Sequence, residues 1–531
     1  MRDGVVLRAD HYEPALTGAP TVLVRTPYGR RGVTAVLART LAEQGFNVLV
    51  QCCRGTFDSG GTFAPMRHEH DDGVDTVDWL RRQSWYSGEL CTFGPSYVGF
   101  TQWAIAADVK PDLKAMATIV TASGFRDSTY AGGAFSLDTV LTWAELMQAQ
   151  DTPLLTRQWE LLRGQPRLRR ALSHLPLSEA DLVATGAEVA FVREWLRHSD
   201  PDDPYWSDLG HAHRIGEVDA AVLMIGGWHD IFLPWQLRDY AALLRAGRSP
   251  RLVIGPWTHG SPGLYLFAVR QAVAWFQANT GAGATSAGAE SGVDGAAAVV
   301  DGAAATDRGT GITVYVDGAG DWRDLAEWPP KDFEPTPWYL GANGALSPRG
   351  VPAGPPDRLW YDPADPTPNL GGPLLIGKTA GRRDNRRLEA RPDVLVYTSD
   401  VLDDPVEVTG PVRAVVYVRP DLAHFDVFVR LCDVDPAGRS WNVCDGLVRV
   451  ADAAPGKVRE VEVELWPAGY RFQTGHRVRV QVSGGAHPRW SRNPGTGEPL
   501  GTAVELRAGG REILHDERYP SAIVLPQARA V

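Results

Sequence analysis

The sequence FGPSYVG at residues 93–99 lies between a predicted strand, 90–93, and a predicted helix, 97–107. A serine at such a turn projects its hydroxyl above the end of the sheet, and its neighbours must be small because the chain reverses tightly. Backbone N–H groups at the start of the helix can then stabilise an oxyanion. The pattern departs from the common G-x-S-x-G elbow, because Gly99 comes one residue later. Ser96 is therefore a candidate nucleophile, although a helix N-cap would use the same residue.

An acid and a histidine follow at the ends of two later predicted strands. The strand 221–225 leads to Asp230, and the strand 252–254 leads to His259. Both side chains should face Ser96, because sites in such sheets form at the carboxyl ends of the strands. Asp230 could instead cap a helix and His259 could be an ordinary loop residue. The chain order Ser, Asp, His nevertheless matches the α/β-hydrolase fold, and it predicts a nucleophile, an orienting acid and a general base.

Other polar clusters have competing interpretations. His229 is a rival for the base, but it precedes the acid and follows no later strand. The segment HEHDD at 68–72 has the residue types of a metal site. Its acids also suit the first turn of a helix, so we expect no metal. The segment RGTFDSGG at 54–61 resembles a phosphate loop, but no Lys-Ser/Thr follows. We interpret it as a loop at the rim of the site, in which Arg54 can pair with Asp58.

The distribution of predicted elements indicates three structural parts and a connecting segment. Strands and helices alternate over 1–124 and again over 219–278, which predicts a parallel sheet in an α/β-hydrolase domain. Residues 125–218 show long helical stretches and are interpreted as an inserted helical cap. Residues 279–311 are almost wholly Gly, Ala, Thr, Ser and Asp, which predicts a flexible linker or insertion. Short strands over 312–531 predict an all-β jelly-roll domain.

Composition narrows the classes of function. The 531 residues carry a net charge of −11 without a Lys/Arg-rich block, which argues against a nucleic-acid partner or an anionic membrane surface. No apolar run approaches the roughly 20 residues that span a bilayer. Five scattered cysteines do not form a disulfide framework, so we expect a cytoplasmic protein. The 18 tryptophans fit either a large core or an aromatic-lined substrate pocket.

Several short motifs extend over almost the whole chain. They are Thr26-Pro27-Tyr28-Gly29, Arg54-Gly55, Asp78-Trp79-Leu80, Gly94-Pro95-Ser96-Tyr97, Gly227-Trp228-His229-Asp230, Gly255-Pro256-Trp257-Thr258-His259-Gly260, Trp328-Pro329-Pro330 and Arg492-Asn493-Pro494. Together they resemble the cocaine esterase/X-prolyl dipeptidyl-peptidase (CocE/NonD) group of serine hydrolases. The resemblance implies an α/β-hydrolase domain, a helical cap and a C-terminal jelly roll of the galactose-binding-like type. Relatives usually have one more N-terminal strand, so an incomplete sheet edge is expected here.

The resemblance also assigns roles within the site. It implies the triad Ser96, Asp230 and His259. It gives the Tyr28 hydroxyl and the Tyr97 backbone N–H as the oxyanion hole. From the sequence alone, Tyr28 follows a predicted strand and could donate its phenolic O–H or simply pack the turn. The resemblance further implies that Phe232, two residues after the acid, lines an acyl pocket, with Trp143 of the cap beside it.

These observations predict acyl transfer through an acyl-enzyme on Ser96. The expected substrates are small esters, with amides as a second class, and no cofactor is needed. An X-Pro dipeptidyl-peptidase and a binding protein that has lost catalysis are the alternatives, and a homo-oligomer is left open. Apolar residues follow Asp230, and the early-cap position falls near the neutral Tyr130, so substrates without an α-amine should be preferred. Asp127 is the residue that could contradict this expectation.

Overall fold

A computed structural model describes five stretches of the chain, namely residues 1–149, 166–281, 311–350, 354–377 and 379–529. Most of the predicted flexible segment 279–311 lies outside the described residues. Residues 150–165 of the predicted helical cap lie outside them as well.

Among the described residues, the first sheet has nine strands in the order β1-β3-β2-β4-β5-β6-β7-β8-β9. These are β1 (Ala9–Tyr12), β2 (Thr21–Thr26), β3 (Asn47–Cys52), β4 (Leu90–Pro95), β5 (Leu113–Ile119), β6 (Ala221–His229), β7 (Arg251–Thr258), β8 (Ile312–Val316) and β9 (Asp321–Leu325). The strands from β3 to β8 run parallel, and β1 and β9 pair antiparallel at the two edges. The central strands are buried along their length, as expected for a parallel sheet with covered faces.

Helices cover the sheet and connect its strands. They are α1 (Val33–Glu43), α2 (Glu69–Leu80), α3 (Tyr97–Trp103), α4 (Arg126–Thr129), α5 (Leu137–Ala149), α6 (Ala180–Thr185), α7 (Ala190–Arg197), α8 (Leu233–Arg245), α9 (Pro262–Asn279) and α10 (Arg386–Glu389). The chain between β5 and β6 contributes α4 to α7, a helical stretch at 166–172 and several 3₁₀ turns, with no strand among its described residues. This helical composition is what the sequence led us to expect of a cap.

The boundary expected at residue 312 is wrong. Strand β8 pairs in parallel with β7, from Leu252 opposite Ile312 to Ile254 opposite Val314, and β9 folds back onto β8. The sequence assigned both strands to the C-terminal domain, because they follow the low-complexity segment and precede many short strands. Hydrogen bonding instead makes them part of the first sheet, so the segment before β8 leads from a helix that covers this sheet to one of its own strands.

The second sheet has fourteen strands and almost entirely antiparallel pairing, so the C-terminal region is all-β as predicted. Its strands are β10 (Phe333–Gly341), β11 (Ala345–Ser347), β12 (Asp357–Tyr361), β13 (Val394–Thr398), β14 (Val406–Gly410), β15 (Arg413–Pro420), β16 (Phe425–Val434), β17 (Ser440–Val450), β18 (Arg459–Glu464), β19 (Ala468–Phe472), β20 (Arg477–Ser483), β21 (Gly509–Asp516), β22 (Tyr519–Pro520) and β23 (Ala522–Ala528). Along β15, buried and partly exposed positions alternate, which is the pattern of a strand with one covered face.

One hydrophobic cluster joins the three parts of the molecule. It includes Phe100 of α3, which packs on the first sheet, Trp195 of the cap and Trp466 of the C-terminal domain, all of them buried. Such a shared core fixes the parts against one another, because its side chains pack at interior density. Within the described residues, no helix has the length and apolar character needed to cross a membrane.

Candidate active site

The turn between β4 and α3 holds Ser96 in a strained conformation. Ser96 has φ 56° and ψ −126°, a combination that a non-glycine residue rarely adopts. A Cβ atom on Gly94 would lie 2.1 Å from Cγ1 of Val98, and one on Gly99 would lie 2.4 Å from Cγ2 of Thr121. Both positions therefore need glycine. Gly99 comes one residue later than in the G-x-S-x-G pattern, because α3 packs at Gly99 against the turn after β5.

Ser96, His259 and Asp230 form a continuous hydrogen-bonded chain, as the sequence predicted. The Ser96 Oγ lies 3.0 Å from Nε2 of His259, and Nδ1 of the same ring lies 2.6 Å from Oδ2 of Asp230. The other carboxylate oxygen of Asp230 accepts the backbone N–H of Phe232 at 2.8 Å. Asp230 is fully buried, and its backbone carbonyl accepts the indole N–H of Trp466 at 2.9 Å. The acid is thus held on three sides, which fixes the histidine ring that it contacts.

Tyr28 and Tyr97 border the nucleophile. The Tyr28 hydroxyl lies close to Ser96, and it accepts the indole N–H of Trp143 at 3.2 Å. Burial raises the pKa of Tyr28 to about 12, so the hydroxyl keeps its proton at neutral pH. Tyr97 is the first residue of α3, and a backbone N–H at that position has no acceptor within its own helix. Both groups are therefore free to donate to an oxygen near Ser96.

A buried network under the turn anchors the Tyr97 side chain, and no sequence pattern predicted it. The Tyr97 hydroxyl donates to Oε1 of Glu69 at 2.9 Å and accepts the backbone N–H of Met66 at 2.7 Å. Oε2 of Glu69 lies 2.9 Å from Nη2 of Arg25, and both of these side chains are buried. Burial raises the pKa of Tyr97 well above its usual value, which keeps the phenol protonated. The network holds the start of α3 in place.

A pocket opens beside Ser96, with about 690 Å³ of empty space that includes the open solvent at its mouth. Phe232 and Trp143 both line it, as predicted. Phe232 packs between Phe125 and His259, with ring centroids 4.7 Å and 5.6 Å away. The full lining is Tyr28, Ser96, Tyr97, Phe125, Ser128, Thr129, Ala131, Ser136, Thr139, Val140, Trp143, Trp195, Ile231, Phe232, Trp235, Pro373, Leu375, Trp466, Arg489 and Trp490.

Sequence reasoning missed most of this lining, because it comes from distant parts of the chain. Trp195 lies in the cap, and Leu375, Trp466, Arg489 and Trp490 come from loops of the C-terminal domain. The abundance of tryptophan was the one signal of an aromatic lining in the sequence, and it did not show which tryptophans line the pocket. The C-terminal domain therefore forms one wall of the pocket and also braces the acid.

The remaining candidates lie away from the nucleophile. His229 is buried, and its Nε2 lies 3.7 Å from a carboxylate oxygen of Asp317. The expected pairing of Arg54 with Asp58 is wrong. Arg54 instead donates to Asp72 at 2.5 and 2.9 Å, and Asp58 accepts from a different arginine. The structure thus uses Arg54 to tie the rim loop to α2, whose first-turn acids include Asp72.

The lining contains no Asp or Glu among the residues that the structure describes. Asp127 is the residue that could have contradicted the expected preference for substrates without an α-amine. Its side chain is half exposed and lies 3.3 Å from both Arg126 and Arg238. Tyr130 donates its hydroxyl to the backbone carbonyl of Trp195 at 2.7 Å. Neither residue lines the pocket.

Family models match both main parts of the chain. The model described as X-Pro dipeptidyl-peptidase (S15 family) matches residues 3–261, and the model described as the X-Pro dipeptidyl-peptidase C-terminal non-catalytic domain matches residues 303–524. The second match covers the region that supplies the C-terminal wall of the pocket.

Similar proteins agree with these matches. The cocaine esterase of Rhodococcus sp. (strain MB1 Bresler) is 32% identical, over 99% of this chain and 97% of that protein. Among solved structures, an aminopeptidase of a marine sediment Thaumarchaeota archaeon gives a TM-score of 0.80 at 21% identity, covering 100% of this chain and 95% of that one. An α-amino acid ester hydrolase gives 0.78 at 20% identity, covering 99% and 95%. The chain belongs to the cocaine esterase/X-Pro dipeptidyl-peptidase family of serine hydrolases.

Proposed function

We propose that the chain hydrolyses esters of small acyl groups through an acyl-enzyme on Ser96. His259 takes the Ser96 proton as Oγ attacks the ester carbonyl, and Asp230 orients and stabilises the imidazolium that forms. The same proton then passes to the leaving alcohol. Water, activated by His259, releases the acid and restores the enzyme. The observation that carries this proposal is the hydrogen-bonded chain Ser96–His259–Asp230 at the mouth of an apolar pocket.

The Tyr28 hydroxyl and the Tyr97 N–H are proposed to stabilise the tetrahedral oxyanion. Tyr28 keeps its proton at neutral pH and receives a hydrogen bond from Trp143. Because that bond occupies an oxygen lone pair, the Tyr28 proton remains available for the substrate oxygen. The two donors are preorganised by burial, which makes them more effective than donors in water.

The apolar lining supports a substrate whose acyl group lacks an α-amine. Phe125, Phe232 and Trp143 offer rings to an aromatic or alkyl group, and each buried methylene contributes about 0.8 kcal/mol. An ammonium group would lose its hydration here and find no carboxylate among the described lining residues. Burying such a charge without a partner is costly.

The test compares kcat/KM for phenylacetate and benzoate esters with kcat/KM for phenylglycine methyl ester and an X-Pro-nitroanilide. We expect the esters without an amine to be preferred. Phenylacetate and phenylglycine methyl esters form a matched pair, since they differ by the amine alone. A clear preference for either amine-bearing substrate would contradict the proposal and favour the dipeptidyl-peptidase, the activity named by the matching family model.

A binding protein without catalysis is the remaining alternative. A fluorophosphonate probe decides it, because the probe reacts with an activated serine and so should label Ser96 in this chain but not in Ser96→Ala. Absence of labelling, with no turnover of any ester, would favour the binding protein.

The cellular compartment and the oligomeric state also remain proposals. All five cysteines are buried free thiols, which supports a reducing compartment such as the cytoplasm. Light scattering on the purified chain would determine whether a homo-oligomer forms.

A further inference from the structure

Arg489 brings an unused hydrogen-bond donor to the wall of the pocket. The residue follows β20, is 4% exposed and is among the residues that line the pocket. Its Nη1 donates to Oδ1 of Asp445. Its Nη2 is buried and makes no hydrogen bond with any residue that the structure describes. A buried N–H without an acceptor is costly, so a bound molecule is the candidate acceptor.

The guanidinium is fixed in place by aromatic rings. Its central carbon lies 4.0 Å from the ring centroid of Trp490 and 4.6 Å from that of Trp466, distances typical of cation–π contacts. Both rings also line the pocket. Because Asp445 binds one end of the guanidinium and the two rings pack against it, the group cannot rotate to bring Nη2 to another acceptor.

The other polar side chains of the wall are mostly occupied. The hydroxyl groups of Ser128 and Thr129 donate to the backbone carbonyl of Phe125 at 2.9 and 2.8 Å. The hydroxyl of Ser136 donates to the carbonyl of Ser128 at 2.6 Å. Nε1 of Trp195 is likewise buried without a hydrogen-bond partner among the described residues, so Arg489 is distinguished as the charged donor of this wall that the catalytic machinery does not use.

The charges around Arg489 decide what kind of acceptor fits. Asp445 also pairs with Arg430, whose Nη2 lies 2.9 Å from Oδ2. Arg430 has further acceptors in Asn385 and Asn369, so its donors are satisfied. The second carboxylate that interacts electrostatically with Arg489 is Asp138, whose pKa burial raises to about 6.

Above pH 6 Asp138 is mostly ionised, since a carboxyl group loses its proton above its pKa. Two guanidinium groups, Arg489 and Arg430, then face two carboxylates, Asp445 and Asp138. The cluster has no net positive charge to offer a second anion, but Nη2 of Arg489 still needs an acceptor. An uncharged oxygen meets both conditions.

We propose that the preferred acyl group carries an uncharged oxygen acceptor, a ketone or an ether, that binds Nη2 of Arg489. This inference rests on the proposed function and names the substrate class of the same pocket. The rings of Trp466 and Trp490 would cover the carbon chain that leads to the oxygen. The acyl ester carbonyl stays at Ser96, and no new chemical step is required.

The test uses p-nitrophenyl esters in matched sets, so that the leaving group is constant. Keto esters (4-oxopentanoate, 5-oxohexanoate and 6-oxoheptanoate) are compared with the same chains carrying CH₂ in place of the ketone. Hemi-esters of hexanedioic and heptanedioic acids supply a terminal carboxylate. Each set is measured at pH 8 with the unchanged enzyme, with Arg489→Met and with the control Arg492→Met. Arg492 is three residues further along the same loop and outside the pocket lining.

We expect at least one keto ester to exceed its CH₂ counterpart in kcat/KM by about 10-fold or more, as for a hydrogen bond to a charged group. Arg489→Met should abolish that ratio, and Arg492→Met should keep it. A ratio measured within one preparation does not depend on the folded fraction, so partial unfolding of a variant does not hide the result.

Other results would overturn the inference in distinct ways. Hydrolysis of all esters without a keto preference would overturn this inference and leave the proposed function intact. A preference for the carboxylate-terminated esters would overturn the uncharged acceptor. Failure to hydrolyse any of the esters would overturn the proposed function itself.

Discussion

The triad and the acyl pocket are built in different ways. Ser96, Asp230 and His259 come from loops after β4, β6 and β7, three strands of one sheet. The pocket wall combines Trp195 of the cap with Trp490 and other residues of the C-terminal domain. Ser96, Asp230 and His259 are therefore positioned by one repeated local pattern, and the lining of the pocket depends on how three parts pack together.

Chemistry and specificity are therefore expected to reside in different parts of the molecule. The hydrogen bond from Trp466 to the backbone carbonyl of Asp230 is a direct contact between the two. Changes in the triad should abolish turnover of every substrate, whereas changes in the wall should alter the ranking of substrates. Four predictions test this separation.

Ser96→Ala should lower kcat by about 10⁴-fold or more for every ester, because the attacking oxygen is lost. The fold should be unaffected, so the thermal unfolding midpoint should match that of the unchanged chain. Ser207→Ala, in an exposed turn, is the matched control and should retain full activity. Substantial activity of Ser96→Ala on p-nitrophenyl acetate would rule out Ser96 as the nucleophile.

Tyr28→Phe should lower kcat by roughly 10²–10³-fold with little change in KM, because one oxyanion donor is removed and little volume is lost. Steady-state kinetics with p-nitrophenyl butyrate provide the measurement. Tyr12→Phe on β1 is a matched control that should leave kcat unchanged. An unchanged kcat in Tyr28→Phe would make Tyr28 a packing residue only.

Trp143→Phe should lower kcat by about fivefold, the effect of losing one hydrogen bond between neutral groups, here to the Tyr28 hydroxyl. In a double-mutant cycle, the same change should have a smaller effect in the Tyr28→Phe background, because the acceptor is already gone. Equal effects in both backgrounds would show that Trp143 acts by filling the pocket alone.

Asp127→Asn should change the preference between phenylacetate and phenylglycine methyl esters by less than about twofold. The carboxylate is half exposed and pairs with two arginines outside the pocket, and surface ion pairs contribute little. Asp138→Asn serves as a comparison, because Asp138 interacts with Arg489 of the wall. A tenfold loss of the amine-bearing substrate in Asp127→Asn would identify Asp127 as an amine anchor.

Much of the fold and the triad could be predicted, because both follow from local patterns. Strand ends marked the positions of Asp230 and His259, and the strand-to-helix turn marked Ser96. The network of Arg25 and Glu69 under Tyr97 was invisible, since nothing in the sequence relates residues that are tens of positions apart. The same holds for Arg489, whose place in the pocket depends on the packing of the C-terminal domain.

The assignment of β8 and β9 failed for a related reason. Their composition resembles that of the strands that follow, and only the pairing of β8 with β7 distinguishes them. A low-complexity segment suggests a domain boundary, but here it precedes two strands of the first sheet. Composition shows where a chain is unlikely to form a core, and it does not show which sheet the next strand joins.

The pairing of β8 with β7 also determines where this protein can be recombined with its relatives. A chimera joined at residue 312 would split one sheet between two parents, so the interface between β7 and β8 would have to be matched anew. Joined instead after Leu325, the end of β9, each parent would contribute whole sheets. A C-terminal piece that began at Ile312 would carry two strands without their sheet, and such unpaired edges promote aggregation. The crossover point for exchanging pocket walls between family members therefore lies after β9.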